Sequence, residues 1–194
     1  MTINAENIGK KFGKNWIFRN LNVEVSTGDF IALTGPNGSG KSTLLQILSG
    51  YLSPSEGRLL HDGENPDPDK FKLISFSSPY IELPEEMTFE EFLRFHSTFR
   101  VQRISTAEIC QRSQLPGDKQ ITDFSTGMKQ RAQLCTAFYF QNDAVFMDEP
   151  TSNLDEQGFE WWKKELDERD KSAPLVLASN QLKEIMLSTS SISL

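Results

Sequence analysis

The chain has 194 residues, 37% of them hydrophobic and 24% charged, and a formal net charge of −7. That composition is ordinary for a globular protein and excludes a disordered or fibrous chain, while a net negative charge without a long Lys/Arg block excludes the broad cationic field that duplex nucleic acid requires. Its length suits one domain able to carry a small inserted subdomain.

Through the first 25 residues apolar and polar positions alternate. Residues 3–8, 16–18 and 21–25 read as short strands joined by Gly- and Asn-containing turns, an antiparallel β layer. Lys10, Lys11 and Lys14 form a small basic cluster there, read as solvated surface. Phe30, Ile31, Ala32 and Leu33 make a compact apolar run ending in a Gly-rich loop, and residues 41–49 follow as an amphipathic helix. The loop, Gly35-Pro36-Asn37-Gly38-Ser39-Gly40-Lys41-Ser42, fits the P-loop pattern in the strand, loop and helix setting that phosphate chemistry needs. Glycines let successive N–H groups turn inward on phosphates, and the helix N-terminus adds partial positive charge. Lys41 is expected to reach the β- and γ-phosphates of a nucleoside triphosphate, Ser42 to place its hydroxyl on Mg²⁺, and Thr43 to add a phosphate contact.

Residues 53–70 are rich in Pro, Gly, Asp and Glu and read as surface connections, with one strand at 58–60. Another strand is expected at 71–76. Thr88 stands three residues before Glu91, a capping-box spacing, and Phe89, Phe92, Leu93, His96 and Phe99 recur on one helical face, so residues 80–135 read as mostly helical. Cys110 and Cys135 fall in these helices without metal-ligand spacing and are expected to be reduced, packed thiols of a cytosolic protein. His61, in a polar connection, and His96, on the apolar face, read as structural; so do Trp161 and Trp162.

In the last third a buried strand at 144–147, a helix at about 155–170, a strand at 174–178 and a short helix at 182–186 alternate, the pattern of a parallel sheet. Val145-Phe146-Met147-Asp148-Glu149 is an apolar strand ending in two acids, which presents carboxylates at the C-terminal edge of that sheet beside the P-loop. Asp148 is expected to orient Mg²⁺ through its hydration shell, and Glu149 to polarise the attacking water as general base. The predicted fold is α/β: a P-loop nucleotide-binding core with a mainly parallel sheet, an N-terminal antiparallel β layer and a small helical subdomain. It forms a single domain over residues 1–194, with the core at 1–79 and 136–194 and the helical subdomain at 80–135. No N-terminal basic-then-apolar leader is visible, and no apolar run approaches the length of a membrane span, so a membrane role is expected to need another chain.

Between loop and acidic strand lies Phe124-Ser125-Thr126-Gly127-Met128-Lys129-Gln130-Arg131, which resembles the signature of the ABC ATPase family, typically Leu-Ser-Gly-Gly-Gln or a variant. Ser152-Asn153-Leu154-Asp155 looks like that family's D-loop, and the motifs occur in family order over nearly the whole chain. A Ser and a Gly at a helix start make a second anion site. The resemblance implies that Ser125 and Gly127 contact the γ-phosphate at the P-loop of a second copy, so that two ATP molecules join a head-to-tail pair. It places Asp155 at the ATP site and an aromatic residue on the adenine; Phe12 matches that position best, with Trp16 second.

Two departures stand out. Family members usually carry a Gln at the end of the strand leading into the helical subdomain, yet residues 74–80 contain none; Ser77 or Ser78 stands in through a water, or the role is empty. The family's His at the end of the last core strand is Asn180, whose amide can bond phosphate and water but carries neither proton nor charge, so slow turnover is expected. The resemblance implies the ATP-binding and ATP-hydrolysing subunit of an ABC transporter, cytoplasmic and peripheral on the inner face of the cell membrane through integral permease subunits. The core is expected to fill the sequence, without regulatory appendage or second cassette. A soluble relative acting on DNA, ribosomes or iron–sulfur assembly is expected to show coiled coils, basic arms or cluster ligands, and none is visible. A nucleotide-gated subunit with little hydrolysis stays open because the Gln and His are missing.

Overall fold

A computed structural model describes residues 1–67 and 73–194. It opens with β1 (Ile3–Phe12), β2 (Asn15–Val25), β3 (Phe30–Thr34), α1 (Lys41–Leu48) and β4 (Glu56–His61). Strands β2, β1 and β4 form an antiparallel sheet. Where three short strands were expected there are two long ones, because Asn7 and Asn20 take left-handed backbone, φ 49° and 56°, at irregular stretches of the strands rather than in turns. Asn tolerates that conformation better than most residues. His61 is also not in a loop: it ends β4 opposite Ile3, is 4% exposed, and its ring Nε2 lies 2.9 Å from the Leu48 carbonyl oxygen.

The helices that follow are α2 (Phe89–Ser97), α3 (Thr106–Ser113), α4 (Thr126–Phe138), α5 (Glu156–Glu168) and α6 (Leu182–Ile185), with a 3-10 turn at Ile121–Asp123. Strands β5 (Ile74–Ser77), β6 (Ala144–Asp148), β7 (Leu175–Ala178) and β8 (Ser190–Ser193) join β3 in a second sheet, ordered β5-β6-β7-β3-β8. Here β3 runs parallel to β7 and β8, and β6 parallel to β7. Residues 71 and 72 of the strand expected at 71–76 lie outside the described residues. Strand β8 was not expected, since Ser190, Ser191 and Ser193 offer no apolar alternation; it is held at the edge by its pairing with β3.

Contacts group the chain into two units, Met1–Phe76 with Asp143–Glu149 and Lys171–Leu194, and Ser77–Asn142 with Pro150–Asp170. The first holds the antiparallel sheet and most of the parallel one around a core that includes Ile3, Ile8, Val25, Leu33, Leu44, Leu48, Phe146 and Val176. Burial on both faces explains the continuous apolar runs of β3, β6 and β7.

In the second unit the Thr88 hydroxyl accepts from Glu91 N–H at 3.3 Å while the Glu91 carboxylate accepts from Thr88 N–H at 2.8 Å, a complete capping box. Such a cap contributes about 1 kcal/mol. Phe89, Phe92 and Leu93 are buried on α2, whereas Phe99 lies past its end and is exposed. Helix α5 packs Trp161 edge-on against Phe138 of α4, ring centres 6.0 Å apart, and Trp162 is fully buried. Both cysteines are free, and burial pushes the Cys135 thiol far up. Among the described residues no helix is long and apolar enough to cross a membrane.

His96 packs edge-on against Phe92, 4.7 Å between ring centres, and 5.9 Å from Phe140. Burial, and secondarily the Arg100 charge, lowers its pKa from 6.5 to about 4. The unfolded chain therefore binds a proton that the folded one refuses between those values. Stability from this group is complete above pH 6.5 and is lost as pH falls towards 4, by about 3 kcal/mol. Urea unfolding of His96→Leu is expected to lose that much less stability than wild type between pH 7 and 4; parallel losses contradict the assignment.

Candidate active site

Register decides what meets at the sheet edge. Leu33 pairs with Ala178, and Ala178 with Asp148, so β3, β7 and β6 end level. Beyond that level, Glu149 N–H donates to Ala178 C=O at 2.9 Å and Ser179 N–H to Leu33 C=O at 3.2 Å. The Gly-rich loop, Glu149 and Asn180 are thus delivered to one C-terminal edge, where parallel sheets bind ligands.

The loop needs its glycines. Gly35, Gly38 and Gly40 have φ of 138°, 82° and 101°. A Cβ on Gly35 would lie 2.6 Å from the Leu194 carbonyl oxygen, and one on Gly40 2.4 Å from Ile17 Cγ2. Gly40 caps α1, and Lys41 and Ser42 start it, with Thr43 next and half-buried. Lys41 is 7% exposed, and its Nζ donates to the carbonyls of Gly35 at 2.9 Å and Pro36 at 3.1 Å, which curls the cation into the loop. Ser39 Oγ is buried with no partner among the described residues, an unspent donor in the cradle.

Across from the loop, Ser42 Oγ donates to Asp148 Oδ1 at 3.0 Å. Burial pushes the Asp148 carboxyl up, and the Ser42 bond pulls it back down. Among the described residues no group of three or more His, Cys, Asp or Glu is placed to hold a metal ion. A hydroxyl beside one carboxylate is a hard-oxygen pair suited to a Mg²⁺ that takes its remaining ligands from phosphate and water. Glu149 is half-buried with φ 44°, a left-handed conformation a Glu adopts at a cost. Asn180 is exposed, and its Nδ2 donates to Asn37 Oδ1 of the loop. A glycine-rich loop, a lysine and a helix start make an arrangement able to take anionic groups, and a hydroxyl beside a carboxylate one able to take a hard cation.

Both candidate aromatics sit where β1 turns into β2. Phe12 is 54% exposed, with Lys10 Nζ 5.3 Å from its ring centre. Trp16 is 37% exposed and has Lys11 Nζ at 5.2 Å and the Arg19 guanidinium at 4.2 Å, the latter bonded to Glu56 at 2.8 Å. Neither is core, and Phe12 is the more open.

The model of the ABC transporter family matches residues 18–152, well over half of the chain. The chain belongs to the ABC transporter family. It is 33% identical to the energy-coupling factor transporter ATP-binding protein EcfA2 of Clostridium perfringens, over 82% of this chain and 64% of that protein. To the ABC transporter ATP-binding protein YdbJ of Bacillus subtilis it is 29% identical, over 94% of this chain and 62% of the relative. The chain therefore spans less than two thirds of the length of each. A dimeric post-hydrolysis state of the ATP-binding cassette MJ0796, bound to ADP and Pi, shares the fold with a TM-score of 0.85 at 22% identity, over 99% of this chain and 94% of that one.

The segment that resembles the ABC signature, residues 124–131, lies in the second unit. Ser125 is the exposed N-cap of α4, and its hydroxyl accepts from Met128 N–H at 3.2 Å. A Cβ on Gly127 would sit 2.9 Å from the Asn153 carbonyl oxygen, so the backbone at Asn153 approaches too closely for a side chain. Asp155 caps α5, accepting from Gly158 N–H at 2.7 Å. Ser77 Oγ donates to Gln133 Oε1 at 3.2 Å, and Ser78 Oγ accepts from Tyr80 N–H at 3.4 Å. Sequence reasoning missed the pairing of Asn37 with Asn180, and the buried amides of Gln130 and Gln133. Polar residues on an amphipathic helix read as its solvent face, so no sequence signal marked those two.

Proposed function

We propose that this chain is the ATP-binding and ATP-hydrolysing subunit of an ABC transporter, closing on ATP as a head-to-tail pair and driving separate integral membrane permease subunits. The observation that carries this reading is the level ending of β3, β6 and β7, which puts Lys41, the Ser42–Asp148 pair, Glu149 and Asn180 on one edge. The loop residues from Gly35 to Gly40 wrap the phosphates with N–H groups; Lys41 turns from its carbonyl contacts onto the β- and γ-phosphates, and Thr43 adds a hydroxyl. Ser42 and Asp148 would hold Mg²⁺, which when bound neutralises charge on the phosphate oxygens. Glu149 takes a proton from the attacking water as its oxygen bonds to the γ-phosphorus and the bond to the β–γ bridging oxygen breaks, leaving ADP and phosphate. Asn180 hydrogen-bonds the γ-phosphate without supplying charge, so turnover is slow.

Phe12 stacks on adenine, and Ser125, Gly127 and Asp155 serve the nucleotide of the opposite copy. A groove of about 570 Å³ in the second unit, lined in part by Pro79, Glu82, Glu85 and Lys129, is the docking place for a permease, with residues 79–87 carrying the motion. The chain then sits in the cytoplasm, on the inner face of the membrane. Affinity-tagged protein solubilised from membranes is expected to bring down one integral membrane protein and to release phosphate from ATP. Recovery entirely in the soluble fraction, with no membrane protein attached, contradicts the transporter assignment.

A further inference from the structure

Two amides on α4 have partners that phosphate binding and the general base leave unexplained. Gln130 and Gln133 are three residues apart, share a helix face, and are 4% and 5% exposed. Gln130 Nε2 donates to the Pro150 carbonyl at 3.1 Å. Gln133 accepts at Oε1 from Ser77 Oγ, 3.2 Å, and donates from Nε2 to the Ile81 carbonyl, 3.4 Å. A buried amide is unfavourable unless bonded, so the Pro150 and Ile81 carbonyls that accept from these side chains are held in place. Both amides also line the groove whose wall includes Ile81, Glu82 and Lys129.

Pro150 directly follows Glu149, and its ring fixes its own φ and restricts the residue before it. The path from the Gln130 amide to the Glu149 backbone is therefore one stiff residue long. The geometry points to Gln130 as a positioning residue for hydrolysis: it fixes Pro150, and through Pro150 the strained Glu149. Gln133 does the equivalent for residues 77–81, the exit from β5. This inference rests on the proposed hydrolysis.

Gln130→Met keeps the length and burial of the side chain and removes the donor. Thr136→Val is the matched control, losing a buried hydrogen bond of 2.8 Å to the Gln133 carbonyl on the same helix, outside the groove and the site. In the full chain, Gln130→Met is expected to lower turnover at saturating ATP by about tenfold or more, as misplacing a reacting group does. KM and equilibrium affinity for ATP stay within about twofold, while Thr136→Val keeps near wild-type turnover. Equal turnover in the two variants, or a fall matched by a rise in KM, overturns the role. Should Gln130→Met not fold, Gln130→Glu, which keeps the size but has no N–H for Pro150, is compared in the same way. A wild-type chain with no turnover at all overturns the hydrolysis, and this inference with it.

Discussion

Glu149→Gln is expected to slow ATP turnover by about 10²–10³-fold while leaving equilibrium affinity for Mg-ATP within about twofold, since general-base catalysis contributes on that scale. The substitution keeps the side chain's size, its place one residue beyond Asp148, and the N–H bond to Ala178 that holds the backbone there. In the proposed mechanism phosphate binding does not pass through this carboxylate but through Lys41, Ser42 and the loop glycines. What the amide lacks is a site for the proton of the attacking water. Phosphate release measured alongside equilibrium nucleotide binding separates the two quantities. Turnover at the wild-type rate would remove Glu149 from the role of base, and an equal loss of affinity would make it a binding residue.

Lys41→Met produces the opposite split, because affinity itself collapses. A hydrogen bond to a charged partner contributes about 1.5–3 kcal/mol, so losing contacts to two phosphates costs about 3–5 kcal/mol. That corresponds to about 10²–10⁴-fold weaker nucleotide binding. Lys41 is nearly buried, and its Nζ already sits inside the loop on the Gly35 and Pro36 carbonyls, so the charge is placed before ligand arrives. Methionine fills the same channel without donors. Titration with a fluorescent ATP analogue checks the loss; unchanged affinity means that the loop does not hold phosphates by this lysine.

Much of this was legible in the residues. Apolar runs of four or five residues marked β3, β6 and β7, and the short sequence from Gly35 to Ser42 carries its own geometry, since positions with φ near 100° admit little but glycine. The capping box of α2 followed from Thr88 and Glu91 alone. Features that depend on distant partners were not legible. Strand β8 is serine-rich and exists because β3 offers it a parallel edge. The strand expected at 58–60 is longer, Glu56–His61, and its pairing with β1 buries His61, which read as part of a polar connection. Helix α5 follows the acidic strand in sequence but packs with α4, through Trp161 and Phe138, which no local pattern announces. The hydrogen bonds from Asn180 to Asn37 and from Gln130 to Pro150 join residues 143 and 20 positions apart, and an amide gives no sign of where it points.

The claim on which the rest turns is that two copies close over ATP, Ser125 of each reaching the triphosphate held by Lys41 of the other. The solution mass of the Glu149→Gln protein, measured by light scattering with saturating Mg-ATP and again with ADP, tests it most directly. Twice the mass of one chain with ATP, and a single chain with ADP, is the expected result; a single chain in both contradicts it.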